Sequence, residues 1–181
     1  MVSIKLIKHD HQYADDINRL SQAFEVKNAL GLPKQSVEDT MRFNQRVLAE
    51  EQLGKTVSRL ILNENGQLIG VTTLMYIDQI KKSCHVGSWI GHEYWGKGYN
   101  LLSKIEILKI AFEVLQLDVV FAGARMTNIR SQKAQEKLPF IRLNVEEEFP
   151  KEHEFLETKE KQPCILHAFF KEDFEQYLGK E

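Results

Sequence analysis

Only two of the 181 residues are cysteine, Cys84 and Cys164, and they lie far apart. That spacing makes neither a metal-ligand pattern nor a disulfide framework, and it leaves buried thiols in a reducing compartment as the expectation. No run of about 18 apolar residues exists, so no membrane span is expected. The N-terminus, Met1-Val2-Ser3-Ile4-Lys5-Leu6, alternates apolar and polar residues and lacks the apolar core of a secretory signal. A formal net charge of -2 shows little excess of either sign. General attraction to polyanions is therefore not expected, and no cluster of basic and aromatic residues suggests nucleic acid. Repeats, low-complexity tracts and Pro- or Gly-rich linkers are absent too. A cytoplasmic protein, with no metal and with residues 1–181 forming one domain, is the expectation.

What is present is a regular alternation of elements. Val2, Ile4 and Leu6 have the period of a half-buried strand, and Ile17, Leu20 and Phe24 recur at helical spacing behind Asp10 as a candidate N-cap. Ser36 followed by Asp39 reads as a capping box. The helix it opens has Met41, Phe43, Val47 and Leu48 on its apolar side and ends at Gly54. Two β-rich runs, Thr56 to Leu62 and Gln67 to Ile77, flank Asn65-Gly66, a strong hairpin signal. Ser83 to Ile90 reads as a third strand of that meander. A glycine turn then leads into a helix from Leu101 to Leu115, striped by Leu101, Ile105, Leu108, Phe112 and Leu115. Val119 to Ala124 is a short apolar strand of the buried, parallel kind. Thr127 to Leu138 reads as a helix, Phe140 to Phe149 and Cys164 to Phe170 as closing strands, and Phe149 to Gln162 as an irregular charged segment. A right-handed crossover sets Ser83–Ile90 parallel to Val119–Ala124, giving an α+β (mixed α/β) domain.

The chemistry concentrates between the third strand and the long helix. In Gly91-His92-Glu93-Tyr94-Trp95-Gly96-Lys97-Gly98-Tyr99-Asn100, two glycines one residue apart permit a tight turn and close backbone approach. The following helix presents free N–H groups and the positive end of its dipole, so the segment suits a phosphate or pyrophosphate. Gly91 to Lys97 also fits the first part of a nucleoside-triphosphatase loop, but Gly98 stands where that loop needs a Ser or Thr for magnesium. The dinucleotide fingerprint fails as well, because Leu101 occupies the place of its third glycine.

Val86-Gly87-Ser88-Trp89-Ile90, Tyr94-Trp95-Gly96-Lys97-Gly98-Tyr99, Asn128-x-x-Ser131 and Glu136-Lys137-Leu138-Pro139-Phe140 together resemble the GNAT superfamily of N-acetyltransferases. The similarity is greatest to the RimJ/RimL-like branch, the ribosomal-protein N-terminal acetyltransferases. It implies a mixed, mostly antiparallel sheet with a splayed parallel strand pair, flanked by helices, and acetyl-CoA as co-substrate. It further implies that Ser88, Trp89 and Ile90 meet the pantetheine arm. Trp95, Gly96, Lys97, Gly98, Tyr99 and Asn100 would cradle the pyrophosphate, and Asn128 and Ser131 would face the cofactor. The chain departs from the family at Pro139, where Gly is usual, and at Glu93, where Arg or Gln is common; a carboxylate should not point at a pyrophosphate, so the Glu93 side chain is expected to face solvent or the acceptor.

Transfer of an acetyl group to an amine needs an aligned acceptor, a group to take its proton and a way to settle the departing thiolate. His85 is the candidate base, in the place where this branch often carries Glu. Ser131 is the candidate for the thiolate, since Gln135 stands near where many relatives have Tyr. Cys84 beside His85 is no catalytic pair, because adjacent strand residues point to opposite faces. Glu38 and Glu146-Glu147-Glu148 are candidates for attracting a cationic amine, although a charge run is usually a solvated face. The acceptor is expected to be a protein or peptide α-amine, with a small amine or a non-catalytic acetyl-CoA-binding module as alternatives; the sequence leaves a homodimer open.

Overall fold

The computed structural model describes residues 1–180. Along the chain run β1 (Ile4–Ile7), α1 (Ala14–Ser21), α2 (Phe24–Leu30), α3 (Val37–Gln52), β2 (Val57–Asn63), β3 (Leu68–Asp78) and β4 (Ser83–Ile90). Then follow α4 (Tyr99–Lys109), β5 (Val119–Arg125), α5 (Ile129–Glu136), β6 (Ile141–Arg142), α6 (Pro150–Glu160), β7 (Cys164–Phe170) and α7 (Lys171–Leu178). The seven strands form one sheet in the order β1-β2-β3-β4-β5-β7-β6. Every pairing is antiparallel except β4 with β5. This is the mixed, mostly antiparallel sheet with one parallel pair that the sequence implied.

Local chemistry explains most boundaries. Ser36 Oγ accepts from Asp39 N and the Asp39 carboxylate accepts from Ser36 N, the reciprocal cap that starts α3. Gly66, at φ +75°, closes the β2–β3 hairpin with its N–H on the Asn63 carbonyl. Asp10 caps a single 3-10 turn, His11–Tyr13, ahead of α1. The helix expected around residues 17–24 is broken in two, α1 and α2. Helix α4 runs on through a widened π turn, Ile110–Val114, to the end anticipated at Leu115.

Three further readings need correction. The stretch 140–149 forms only the two-residue strand β6, and Val145 instead folds inward with its N–H on the Leu166 carbonyl. The segment 149–162 is helix α6, opened by Pro150 at its first turn and closed by Lys161 in the left-handed region. Helix α3 buries Thr40, Asn44 and Val47, while Met41 is exposed. Its inner face is polar because Asn44 Oδ1 meets His9 Nδ1 at 2.8 Å, and His9 Nε2 meets Ser58 Oγ at 2.7 Å.

Both sheet faces are covered. On one, Ile17 and Leu20 of α1 pack on Leu60, Leu62 and Val71, and Leu156 of α6 packs with Phe121 and Leu166. On the other, Ile107, Leu108 and Phe112 of the α4 segment and Phe174 of α7 meet Leu74, Val120 and Phe169. Phe112 is fully buried, so its loss to alanine would cost about 3–5 kcal/mol.

Candidate active site

Strands β4 and β5 pair only at Ser83–Val119, Cys84–Val120 and His85–Phe121. Beyond that point β4 continues against β3 as far as Ile90, and β5 continues against β7 as far as Arg125. The two strands therefore diverge, and a cleft of about 990 Å³ opens through the sheet between them. Gly91 N–H bonds to the Ile69 carbonyl on the β3 side. Alternation along the strand then turns the backbone groups of Ser88 and Ile90 toward the opening. A strand edge left unpaired in this way is a template for an extended, amide-bearing ligand.

The glycine turn forms the mouth. Gly96 and Gly98 have φ of +73° and +89°, values that strain any residue with a Cβ. A Cβ on either glycine would meet no protein atom within 4 Å. Gly98 is the N-cap of α4 and has no side chain to satisfy the first-turn amides. The turn thus offers free N–H groups beside open space, which fits an anionic pyrophosphate. Trp95 Nε1 donates to the Ile90 carbonyl at 2.7 Å, tying the loop to the strand end. The Arg130 guanidinium stacks 3.3 Å from the centre of the Trp95 ring and has no carboxylate partner among the described residues.

Not every loop side chain faces the cleft. Lys97 is exposed and lies over the Tyr94 ring at 5.7 Å, outside the lining. Tyr99 turns its hydroxyl away to the Glu64 carboxylate, leaving its backbone at the mouth. Trp89 packs with Ile17 and Leu20 on the far face of the sheet. Glu93 reaches Arg19 of α1 at 3.2 Å.

On the α4 face, Ser88 Oγ lies 2.7 Å from Thr72 Oγ1 and accepts from Lys104 Nζ at 2.7 Å. Lys104 is only 6% exposed and has no ion-pair partner among the described residues, and burial alone pulls it down to about 8. The sequence carried a signal for it. Lys104 sits between Leu101 and Leu108 on the apolar stripe of its helix, where a lysine is out of place.

His85 lies on the opposite face of β4. Its Nε2 meets Glu152 Oε2 at 2.9 Å, and its ring is enclosed by Tyr76, Phe121 and Phe155 at centroid distances of 5.8, 5.3 and 5.5 Å. Burial lowers its pKa, opposed by the Glu152 carboxylate, so the ring is neutral at pH 7. Tyr76 holds its position at a bulge of β3 with φ +54°. Glu152 was not anticipated, since it belongs to the segment read as irregular. Cys84 points the other way into the core, where burial pushes its thiol up to about 12. Both cysteines are free and buried.

Helix α5 closes the outer wall. Asn128 Oδ1 accepts from Ser131 N at 3.1 Å and its Nδ2 donates to the Ala29 carbonyl at 2.8 Å, so both polar ends are engaged within the protein. Ser131 lines the cleft, with its Oγ accepting from Gln135 Nε2 at 3.2 Å. Glu38 and Glu146 to Glu148 stand outside the lining, and Glu146 bonds instead to Leu166 N. No group of three or more His, Cys, Asp or Glu among the described residues is placed to hold a metal ion, and no described helix is long and apolar enough to cross a membrane.

Comparison with known proteins agrees with this geometry. The Bacillus subtilis protein named "Putative ribosomal N-acetyltransferase YdaF" is 31% identical over 77 residues, a match covering 42% of each chain, so less than half of that relative's length. Mycobacterium smegmatis RimJ in complex with CoA-disulfide superposes with a TM-score of 0.76 at 15% identity, covering 98% of this chain and 88% of the other. The Vibrio cholerae spermidine N-acetyltransferase in complex with CoA and spermine gives 0.73 at 12% identity, covering 95% and 98%. At those identities the two structures share the fold. The family description "Acetyltransferase (GNAT) domain" matches residues 4–141, most of the chain, and the chain belongs to that family.

Proposed function

We propose that this family member transfers the acetyl group of acetyl-CoA to the α-amine of a protein or peptide, by direct attack of the amine. The observation that carries the reading is the divergence of β4 and β5 after His85–Phe121. It joins an anion-binding helix start at one end to a neutral histidine at the other. In this reading the amides at Gly96, Gly98 and the first turn of α4 hold the pyrophosphate, and the edge at Ser88 and the Ile90 N–H pairs with the pantetheine arm, the Ile90 carbonyl being held by Trp95. Acetyl-CoA supplies the activated thioester.

His85 then serves as the base. A carboxylate oxygen at Nε2 keeps the hydrogen on that nitrogen and leaves Nδ1 with the lone pair. An α-amine titrates near 8, well below a lysine side chain, so a neutral imidazole suffices to take its proton at pH 7.

The charges of the cleft favour a peptide over a polyamine. Glu160, the carboxylate in the lining, is paired with Arg125 at 2.9 Å, and Glu152 is engaged by His85. Arg130, Lys133, Lys137 and Lys159 line the same space, which a polycation would find repulsive.

Calorimetric titration with acetyl-CoA, beside a Gly98→Trp variant whose side chain would fill the open space at the loop, tests the site. Micromolar binding that the variant loses is the expected result. A wild-type protein that fails to bind acetyl-CoA would sink the reading. Mass spectrometry of a peptide library incubated with acetyl-CoA then identifies the acceptor.

A further inference from the structure

Burying an ammonium without a counter-ion is expensive, typically several kcal/mol, and such a group persists where its charge is used. Lys104 is such a group. Its Nζ is fixed on Ser88 Oγ, three residues out from His85, where strand pairing stops. The neighbouring charged groups are otherwise occupied: His85 lies on the far face of β4, and Arg125 is paired with Glu160. The other lysines of the lining, Lys133, Lys137 and Lys159, are exposed.

A linear co-substrate held by its pyrophosphate at Gly96–Gly98 points its thiol end inward, past Leu101 and toward the closing point of the strands. Leu101 and Lys104 both line the cleft between the glycine turn and that closing point. The candidates on α5 are poor acids: Gln135 is an amide, and the Ser131 hydroxyl gives up its proton far less readily than an ammonium.

We propose that Lys104 is the proton donor to the sulfur of the co-substrate, an assignment that rests on the acyl-transfer reading above. As the acceptor nitrogen bonds to the acyl carbon, the C–S bond breaks and its electron pair stays on sulfur. The sulfur takes a proton from Lys104 Nζ, and the resulting neutral amine is recharged from water. His85 holds the proton lost by the acceptor nitrogen on the other face of the strand and releases it to solvent. An ammonium near 8 and a thiol near 8.5 are closely matched, so the transfer runs with little penalty in either direction.

The test is the titration of CoA bound to the protein, followed by thiolate absorbance, in wild type and Lys104→Met, with calorimetry of CoA and desulfo-CoA alongside. The bound thiol is expected to titrate below free CoA in wild type and at or above it in the variant, while desulfo-CoA binds both within about twofold. With acetyl-CoA and an active acceptor, kcat of the variant falls by about a hundredfold and KM is little changed. A bound thiol that titrates identically in both proteins would overturn the proposal. So would equal weakening of CoA and desulfo-CoA, which would make Lys104 a holder of the arm. Failure of wild type to bind CoA at all overturns the acyl-transfer reading itself and is distinguishable from both.

Discussion

His85 Nε2 on β4 and Glu152 Oε2 on α6 stand 2.9 Å apart, though 67 residues separate them in the chain. This bond selects the tautomer of the histidine and holds its ring among Tyr76, Phe121 and Phe155. It also ties helix α6 to the strand that borders the cleft.

Replacing Glu152 by Gln removes a charge that raises the His85 pKa. The ascending limb of the pH–rate profile should therefore move to lower pH, and kcat/KM at pH 7 should fall about 10- to 100-fold as the ring loses its fixed orientation. NMR titration of the His85 ring checks the shift without an acceptor. A ring that titrates at the wild-type pH in the variant would remove Glu152 from the mechanism.

Three histidines, His9, His85 and His167, have pKa values lowered by burial. Below their ordinary value of about 6.5 the unfolded chain binds more protons than the folded one, so their contribution is complete above that pH and is lost as pH falls. Thermal denaturation should show Tm falling between pH 7 and pH 5. His9→Gln should flatten that slope. A flat wild-type profile would contradict the assignment.

Lys104 is lowered from 10.5 to about 8, which corresponds to about 3 kcal/mol against folding at pH 7. Lys104→Met should therefore raise Tm at pH 7 by several degrees, less whatever the bond to Ser88 contributes. Because the unfolded state binds the extra proton between pH 8 and 10.5, wild type gains stability across that window. The gap between the two proteins should close by about pH 10, as differential scanning calorimetry would show. A destabilised variant at pH 7 would mean the ammonium is better solvated than its burial implies.

Arg130 stacks on Trp95 at the mouth, without a carboxylate partner among the described residues. Arg130→Ala should weaken CoA about tenfold by removing both the cation and the support of the tryptophan, with Tm nearly unchanged because the residue is exposed. Calorimetry at two salt concentrations separates the parts. The charge contribution fades with salt, and the packing contribution does not.

Local chemistry made much of this protein legible beforehand. The Ser36–Asp39 box, the Asn65-Gly66 hairpin, the strand Ser83–Ile90 and the glycine turn at Gly96–Gly98 depend on nearest neighbours, and each stands where its residues put it. The misreadings lay where distant partners decide. The stretch 140–149 has strand-like residues, but Val145 is drawn inward to the Leu166 carbonyl. Segment 149–162 looks too charged for a packed element, yet it forms a helix whose Leu156 fills the space that Gly123 leaves open on β5.

The sequence by itself determined most of the elements as far as β5 and the glycine turn, since periodicity, capping and φ requirements act over a few residues. Only the tertiary structure decided which groups share the cleft. Strand alternation put His85 and Ser88 on opposite faces of β4. The early end of β4–β5 pairing opened the space between them. Helix packing then delivered Glu152 to one side and the buried Lys104 ammonium to the other, because desolvation and hydrogen bonding depend on neighbours that the chain brings from afar.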